Sequence, residues 1–186
     1  SGRIADIAIH PDDENLWYVA VGSGGLWKTD NAGITWTPVF DDQPSYSIGC
    51  VTMDPSNPHR VWVGTGENVG GRHVGYGDGV YRSDDGGANW KAMGLAESEH
   101  ISKIVVHPEN PDIVWVAAQG PLWTKGGERG VFRTADGGAT WTRTLGDDGR
   151  TQHGQPPLIA PGGGVRRPVN GSPWPRADGK VWADNE

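Results

Sequence analysis

Short apolar runs closed by an X-Pro step recur three times along the chain. Ile4-Ala5-Asp6-Ile7-Ala8-Ile9-His10-Pro11 is matched by Ile48-Gly49-Cys50-Val51-Thr52-Met53-Asp54-Pro55 and by Ile101-Ser102-Lys103-Ile104-Val105-Val106-His107-Pro108. Each is rich in β-formers, and its proline ends any ladder because it has no N–H to donate. A polar turn follows, then a second apolar run at residues 16–21, 60–64 and 113–118. Third runs occupy 25–28, 79–82 and 130–133, and fourth runs 36–39, 90–93 and 141–144. No segment carries the 3.6-residue periodicity of a helix. The pattern predicts four short antiparallel strands, three times over.

Between the third and fourth strands stands one eight-residue box, in three copies. It reads Thr29-Asp30-Asn31-Ala32-Gly33-Ile34-Thr35-Trp36, Ser83-Asp84-Asp85-Gly86-Gly87-Ala88-Asn89-Trp90 and Thr134-Ala135-Asp136-Gly137-Gly138-Ala139-Thr140-Trp141. The closing tryptophans lie 54 and then 51 residues apart. A hydroxyl (Thr29, Ser83, Thr134) and an Asx two residues on (Asn31, Asp85, Asp136) can tie down backbone N–H groups of a turn. A glycine (Gly33, Gly87, Gly138) tolerates the positive φ such turns need, and a tryptophan (Trp36, Trp90, Trp141) can bury its ring against a neighbouring sheet. These twelve residues read as a structural device. Four antiparallel strands per unit of about fifty residues is the signature of a β-propeller blade. The expected fold is all-β: three blades at about 1–45, 46–97 and 98–145, an incomplete ring.

Composition narrows the function classes. Thirty Gly, fourteen Pro and ten Trp against two Phe suit short strands and tight turns, and a formal charge of −7 lacks the basic face that nucleic acid or an anionic membrane requires. No apolar run reaches membrane-spanning length. Cys50 stands alone, so an internal disulfide framework is excluded; it reads as a small buried residue. Neither a metal site nor a cofactor is expected. The equivalent His10, Asp54 and His107, each before a proline, read as turn chemistry. The chain opens at Ser1-Gly2-Arg3 with no signal-type apolar stretch, as a mature or cropped segment would.

The boxes resemble the Asp-box, or bacterial neuraminidase repeat, found in sialidases, xyloglucanases, photosystem assembly factors and sortilin-type receptors. The strings Gly24-Gly25-Leu26-Trp27-Lys28-Thr29, Val63-Gly64-Thr65-Gly66-Glu67-Asn68, Gly77-Asp78-Gly79-Val80-Tyr81 and Ser98-Glu99-His100-Ile101 are similar to large bacterial sortilin-like or "glycosyl hydrolase" Asp-box propellers. The resemblance covers residues 1–145; the first box departs from it with Asn31 in place of Asp. It implies a secreted, periplasmic or cell-surface protein. It also implies a non-catalytic module that recognises or scaffolds a protein, peptide or glycan. The alternative is a fragment of a sialidase- or xyloglucanase-like glycoside hydrolase whose active site needs further blades.

Repeats two and three carry insertions between their second and third strands, where repeat one has only Gly22-Ser23-Gly24. The first holds Glu67, Asn68, Arg72, His73, Tyr76 and Asp78; the second holds Trp123, Lys125, Glu128 and Arg129. These connections leave the blade opposite the box, where loop variation carries function. Aromatic, polar and charged groups together suit carbohydrate or peptide recognition. Glycoside hydrolysis needs two carboxylates roughly 5–10 Å apart; Asp6, Glu67, Asp78 and Glu99 are available, but spacing selects no pair. Arg3, Arg72 and Tyr76 fall short of the arginine cluster and tyrosine that a sialidase resemblance calls for. No catalytic residue is assigned to this segment.

After Leu145 the pattern stops. The stretch 146–186 holds eight glycines and six prolines, with five basic and five acidic residues. It reads as a flexible linker or as the product of a frame shift near codon 145. Three blades do not close a ring, so further blades of a parent chain or self-association are expected.

Overall fold

The computed structural model describes residues 2–69 and 74–146. It contains three four-stranded antiparallel sheets with sequential strand order. The first comprises β1 (Ile4–Ile9), β2 (Trp17–Val21), β3 (Gly25–Thr29) and β4 (Thr37–Pro38). The second comprises β5 (Ile48–Asp54), β6 (Asn57–Thr65), β7 (Val80–Ser83) and β8 (Lys91–Ala92). The third comprises β9 (Ile101–Val106), β10 (Val114–Ala118), β11 (Gly130–Thr134) and β12 (Thr142–Leu145). The tail 147–186 lies outside the described residues, as do Arg72 and His73.

Two differences from the sequence reading have plain causes. β6 starts at Asn57, because Pro55-Ser56 makes a tight hairpin in which Asp54 pairs with Asn57. A single turn of 3-10 helix, Ala96–Ser98, lies in the connector before the third sheet, flanked by Leu95 and Glu99 at positive φ (56° and 54°).

The first strands β1, β5 and β9 stand side by side, so the sheets radiate from a common inner wall. Two apolar clusters fill the wedges between them. Tyr18, Leu26, Phe40, Val51, Val63 and Tyr81 join the first and second sheets. Cys50, Trp62, Ile101, Ile104, Val116 and Phe132 join the second and third. The middle blade is covered on both sides, and residues Val61–Thr65 of β6 are all buried without alternation, as expected of a strand packed on both faces. β1 keeps Ile4, Ile7 and Ile9 exposed, since only its other face meets a neighbour. Burial pushes the Cys50 thiol up to about 12, with the Asp6 charge adding to it.

Alternating strand direction sorts the connections onto two edges. The first-to-second strand turns and the boxes share one edge. The second-to-third strand loops share the other with the connectors that run from one blade to the next.

Candidate functional site

On the box edge, three turns repeat one hydrogen-bond scheme. Thr29 Oγ1 accepts the N–H of Asn31 (3.3 Å) and of Gly33 (2.9 Å), and its hydroxyl donates to Asn31 Oδ1 (2.9 Å), which also accepts the Thr35 N–H (2.9 Å). Ser83 and Asp85 do the same for Gly87 (2.8 Å) and Asn89 (2.8 Å). Thr134 and Asp136 do so for Gly138 (3.0 Å) and Thr140 (2.9 Å). Gly33, Gly87 and Gly138 sit at φ 87°, 90° and 94°, where a Cβ would be strained. Hydrogen bonds from the Asn89 side chain and N–H and from Ser83 hold Asp85 down at about 2. Those from Thr134 and from the Thr140 side chain and N–H hold Asp136 at about 2. The Asx side chains are spent inside their own turns. On the same edge, His10 Nδ1 accepts the Asp12 N–H (3.1 Å), Asp54 Oδ1 the Ser56 N–H (2.8 Å) and His107 Nδ1 the Glu109 N–H (3.1 Å).

The loop edge separates the candidate residues into two kinds. Glu67 is buried: Oε1 pairs with Arg3 (3.3 Å) and Oε2 accepts the Gly75 N–H (3.1 Å). It wedges against Gly22 of the first blade, where a Cβ would lie 2.5 Å from Oε1. Asp78 accepts from Tyr81 Oη (2.6 Å) and Thr65 Oγ1 (3.1 Å). Burial, and then that bond to Asp78, raises the Tyr81 phenol. Asn68 Nδ2 donates to the Gly49 carbonyl (3.1 Å), Glu128 Oε2 accepts the Glu97 N–H (2.9 Å), and Arg129 stitches its own loop by donating to the carbonyls of Pro121 and Thr124. Five of the polar candidates therefore hold loops in place. Tyr76 and Trp123 differ: they are 58% and 62% exposed on the same edge.

Sequence reasoning looked to the insertions and passed over the blade connectors that run beside them. Exposed Tyr46 belongs to this edge, where its carbonyl accepts the Gly25 N–H (2.8 Å). The neighbouring Ser45 Oγ donates to the Tyr76 carbonyl (3.2 Å). Buried His100 lies under Tyr76, with ring centroids 5.4 Å apart, and its carbonyl accepts the Gln119 N–H (2.8 Å). Burial lowers the His100 imidazole, against the opposing pull of the Glu67 carbonyl and carboxylate. Both imidazole nitrogens, Ser98 Oγ and Gln119 Oε1 are buried without a partner among the described residues. In the sequence His100 stood out only within the string Ser98-Glu99-His100-Ile101, at the end of a connector and directly before a strand.

Asp6 faces the inner wall, where it pairs with Lys103 (3.5 Å) and accepts the Val51 N–H (3.3 Å). Glu99 serves through its carbonyl, which accepts the Gly77 N–H (2.7 Å). Among the described residues no group of three or more His, Cys, Asp or Glu side chains is placed to hold a metal ion.

The BNR/Asp-box repeat family matches residues 81–92, the second box. The other two boxes share its hydrogen bonds, so the chain is built of BNR/Asp-box repeats on a β-propeller scaffold. It is 26% identical over 157 residues to a xyloglucanase from a Paenibacillus species, covering 76% of this chain and 14% of that protein. It is 23% identical over 154 residues to a probable oligoxyloglucan-reducing end-specific xyloglucanase of Neosartorya fischeri, covering 76% of this chain and 17% of the relative. The chain therefore spans less than a fifth of the length of these curated relatives. In structure it is similar to an ancestral GH74 enzyme (TM-score 0.60, 21% identity, 78% of this chain and 19% of that one). It is also similar to YCF48 bound to D1 peptide (TM-score 0.52, 16% identity, 76% and 40%). At these identities the structural likenesses establish the fold.

Proposed function

We propose that the chain is an arc of a larger glycan-directed propeller of the xyloglucanase kind, and that its loop edge binds the polysaccharide. Any hydrolysis then draws its carboxylate pair from blades other than these three. The observation that carries the reading is the division of labour on that edge. Glu67, Asp78 and Glu128 are occupied there in framework bonds, whereas Tyr76 and Trp123 present ring faces to solvent. Exposed aromatic rings beside polar loops offer flat apolar platforms for pyranose rings. The xyloglucanase relatives, aligned over three quarters of the chain, favour a β-glucan backbone as the ligand. The reading implies an exterior location, where such polysaccharide is met.

Affinity electrophoresis through gels containing xyloglucan tests this directly. The chain is retarded, and Tyr76→Ala and Trp123→Ala each weaken binding about 5-fold, or roughly 1 kcal/mol per ring. Migration indifferent to xyloglucan overturns the reading. A peptide is the second candidate ligand, favoured by the likeness to the peptide complex of YCF48. Retention on immobilised peptides with no retardation by glycan selects it.

A further inference from the structure

Tyr76 stands on an insertion, yet its backbone is fastened on every side. Gly75 donates its N–H to Glu67 Oε2 (3.1 Å), and its carbonyl accepts from the Glu67 N–H (3.0 Å) and from Ser47 Oγ (3.0 Å). The Tyr76 carbonyl accepts from Ser45 Oγ (3.2 Å). The Gly77 N–H donates to the Glu99 carbonyl (2.7 Å) and the Asp78 N–H to Thr65 Oγ1 (2.8 Å). Four successive residues are thus tied to the middle blade and to the connectors on either side of it. Gly75 and Gly77 permit the close fit: a Cβ at Gly75 would lie 2.6 Å from Ser47 Oγ, and one at Gly77 would run into the Thr65 backbone.

The ring of Tyr76 rests on His100. Its hydroxyl has no hydrogen bond among the described residues. Its face meets the imidazole, with centroids 5.4 Å apart and planes at 45°, within the range of a favourable aromatic pair. His100 is fully buried and anchored to the third blade: its N–H donates to the Ser98 carbonyl (2.5 Å) and its carbonyl accepts the Gln119 N–H (2.8 Å). Neither imidazole nitrogen has a hydrogen-bond partner among the described residues. An unpaired polar atom in the interior destabilises a fold. What His100 supplies at this place is therefore a flat ring, and that ring lies under Tyr76.

We propose that His100 is the positioning residue of the Tyr76 platform. From the third blade it props a ring whose backbone belongs to the second, and so fixes the outer face before any ligand arrives. The inference rests on the glycan reading of the loop edge and adds the group that sets the orientation of one of its rings. A side chain already held in its bound orientation loses less freedom on binding, and the saving appears as affinity for the C–H face of a pyranose. The imidazole acts through Tyr76 and touches no sugar.

The test compares His100→Gln, which removes the ring, with His100→Phe, which keeps one, in the full chain. Calorimetric binding of a xyloglucan oligosaccharide falls about 5-fold in His100→Gln, as in Tyr76→Ala, whereas His100→Phe binds like the unaltered chain. Added to Tyr76→Ala, His100→Gln has no further effect, because the two residues act as one unit. Full affinity in His100→Gln overturns the proposal, as do equal losses in His100→Gln and His100→Phe or additive losses in the double variant. The Tyr76 ring-proton shifts, read by NMR without ligand, separate this inference from the glycan reading. They stand away from those of a solvated tyrosine in the unaltered chain and in His100→Phe, and revert to them in His100→Gln. If no sugar binds while the shifts follow that order, the glycan reading falls and the positioning role stands. Shifts indifferent to His100 overturn the positioning role whatever the sugar does. If His100→Gln does not fold, His100→Phe and an NOE between the two rings of the unaltered chain decide: full binding in the one and presence of the other support the role, and failure of either overturns it.

Discussion

Asp85 and Asp136 hold their boxes as carboxylates, whereas Asn31 holds its own as an amide, and that difference is testable. In the first box Asn31 Nδ2 donates to Thr35 Oγ1 (2.7 Å). In the third, the Thr140 hydroxyl donates to Asp136 Oδ2 (2.6 Å) and can turn round to accept from an amide. In the second, Asn89 Nδ2 donates to Asp85 Oδ2 (2.7 Å), and an amide at position 85 sets two donors face to face. Asp136→Asn therefore melts close to the unaltered chain, and Asp85→Asn melts lower; thermal denaturation at pH 7 ranks them. Both carboxylates titrate at about 2 in the folded chain, below the ordinary 3.8. A depressed carboxyl contributes stability above its unfolded value and loses it as pH falls through the folded one. Stability accordingly declines between about pH 4 and pH 2, and the double variant Asp85→Asn/Asp136→Asn has a shallower decline over that window. Equal slopes contradict the assignment. The box turn was legible in sequence because its chemistry is local: its hydroxyl and Asx side chains bond only within four residues. His100 was not, because its burial beneath Tyr76 and beside Glu67 is set by chain 24 to 33 residues away.

At the scale of elements, strands and their order followed from X-Pro stops and apolar runs. What the strands do at blade junctions did not, since those contacts join residues about fifty apart. Trp90 and Trp141 each donate across a junction; Trp36 stands edge-on to Trp17 at 6.3 Å. Trp141→Phe thus costs about 0.5–1.5 kcal/mol, the value of a lost hydrogen bond. Trp36→Phe costs less, and urea denaturation separates them. Gly49 is a second junction residue. A Cβ there falls 2.1 Å from the Ile101 carbonyl and 2.4 Å from that of Gly66, both backbone atoms. Gly49→Ala therefore pushes the second and third blades apart, at about 1–3 kcal/mol. An unchanged urea midpoint refutes the packing described. The same long-range dependence kept the framework bonds of Glu67 and Asp78 out of view in the sequence. Grouped in an insertion they resembled ligand-binding groups, but Arg3, from the first blade, and Tyr81 engage them.

The whole molecule is an arc whose two edges differ in kind. On the box edge the hydroxyl and Asx side chains answer groups of their own turns, while Trp90, Trp141 and the Gly86 and Gly137 carbonyls bond to the preceding blade. The loop edge carries the variation between blades, and where Glu67, Asp78 and Glu128 are held in framework bonds, Tyr46, Tyr76 and Trp123 stand exposed. That asymmetry, together with the xyloglucanase relatives, supports the proposal that this arc holds a glycan while any cleavage belongs to other blades. Saturation-transfer NMR of the chain with a xyloglucan oligosaccharide tests it most directly. Transfer to sugar-ring protons is expected, abolished in the double variant Tyr76→Ala/Trp123→Ala, with the anomeric signals of the oligosaccharide unchanged over time. Absence of transfer contradicts the binding, and new reducing-end anomeric signals that vanish in Glu67→Gln contradict the assignment of catalysis to other blades.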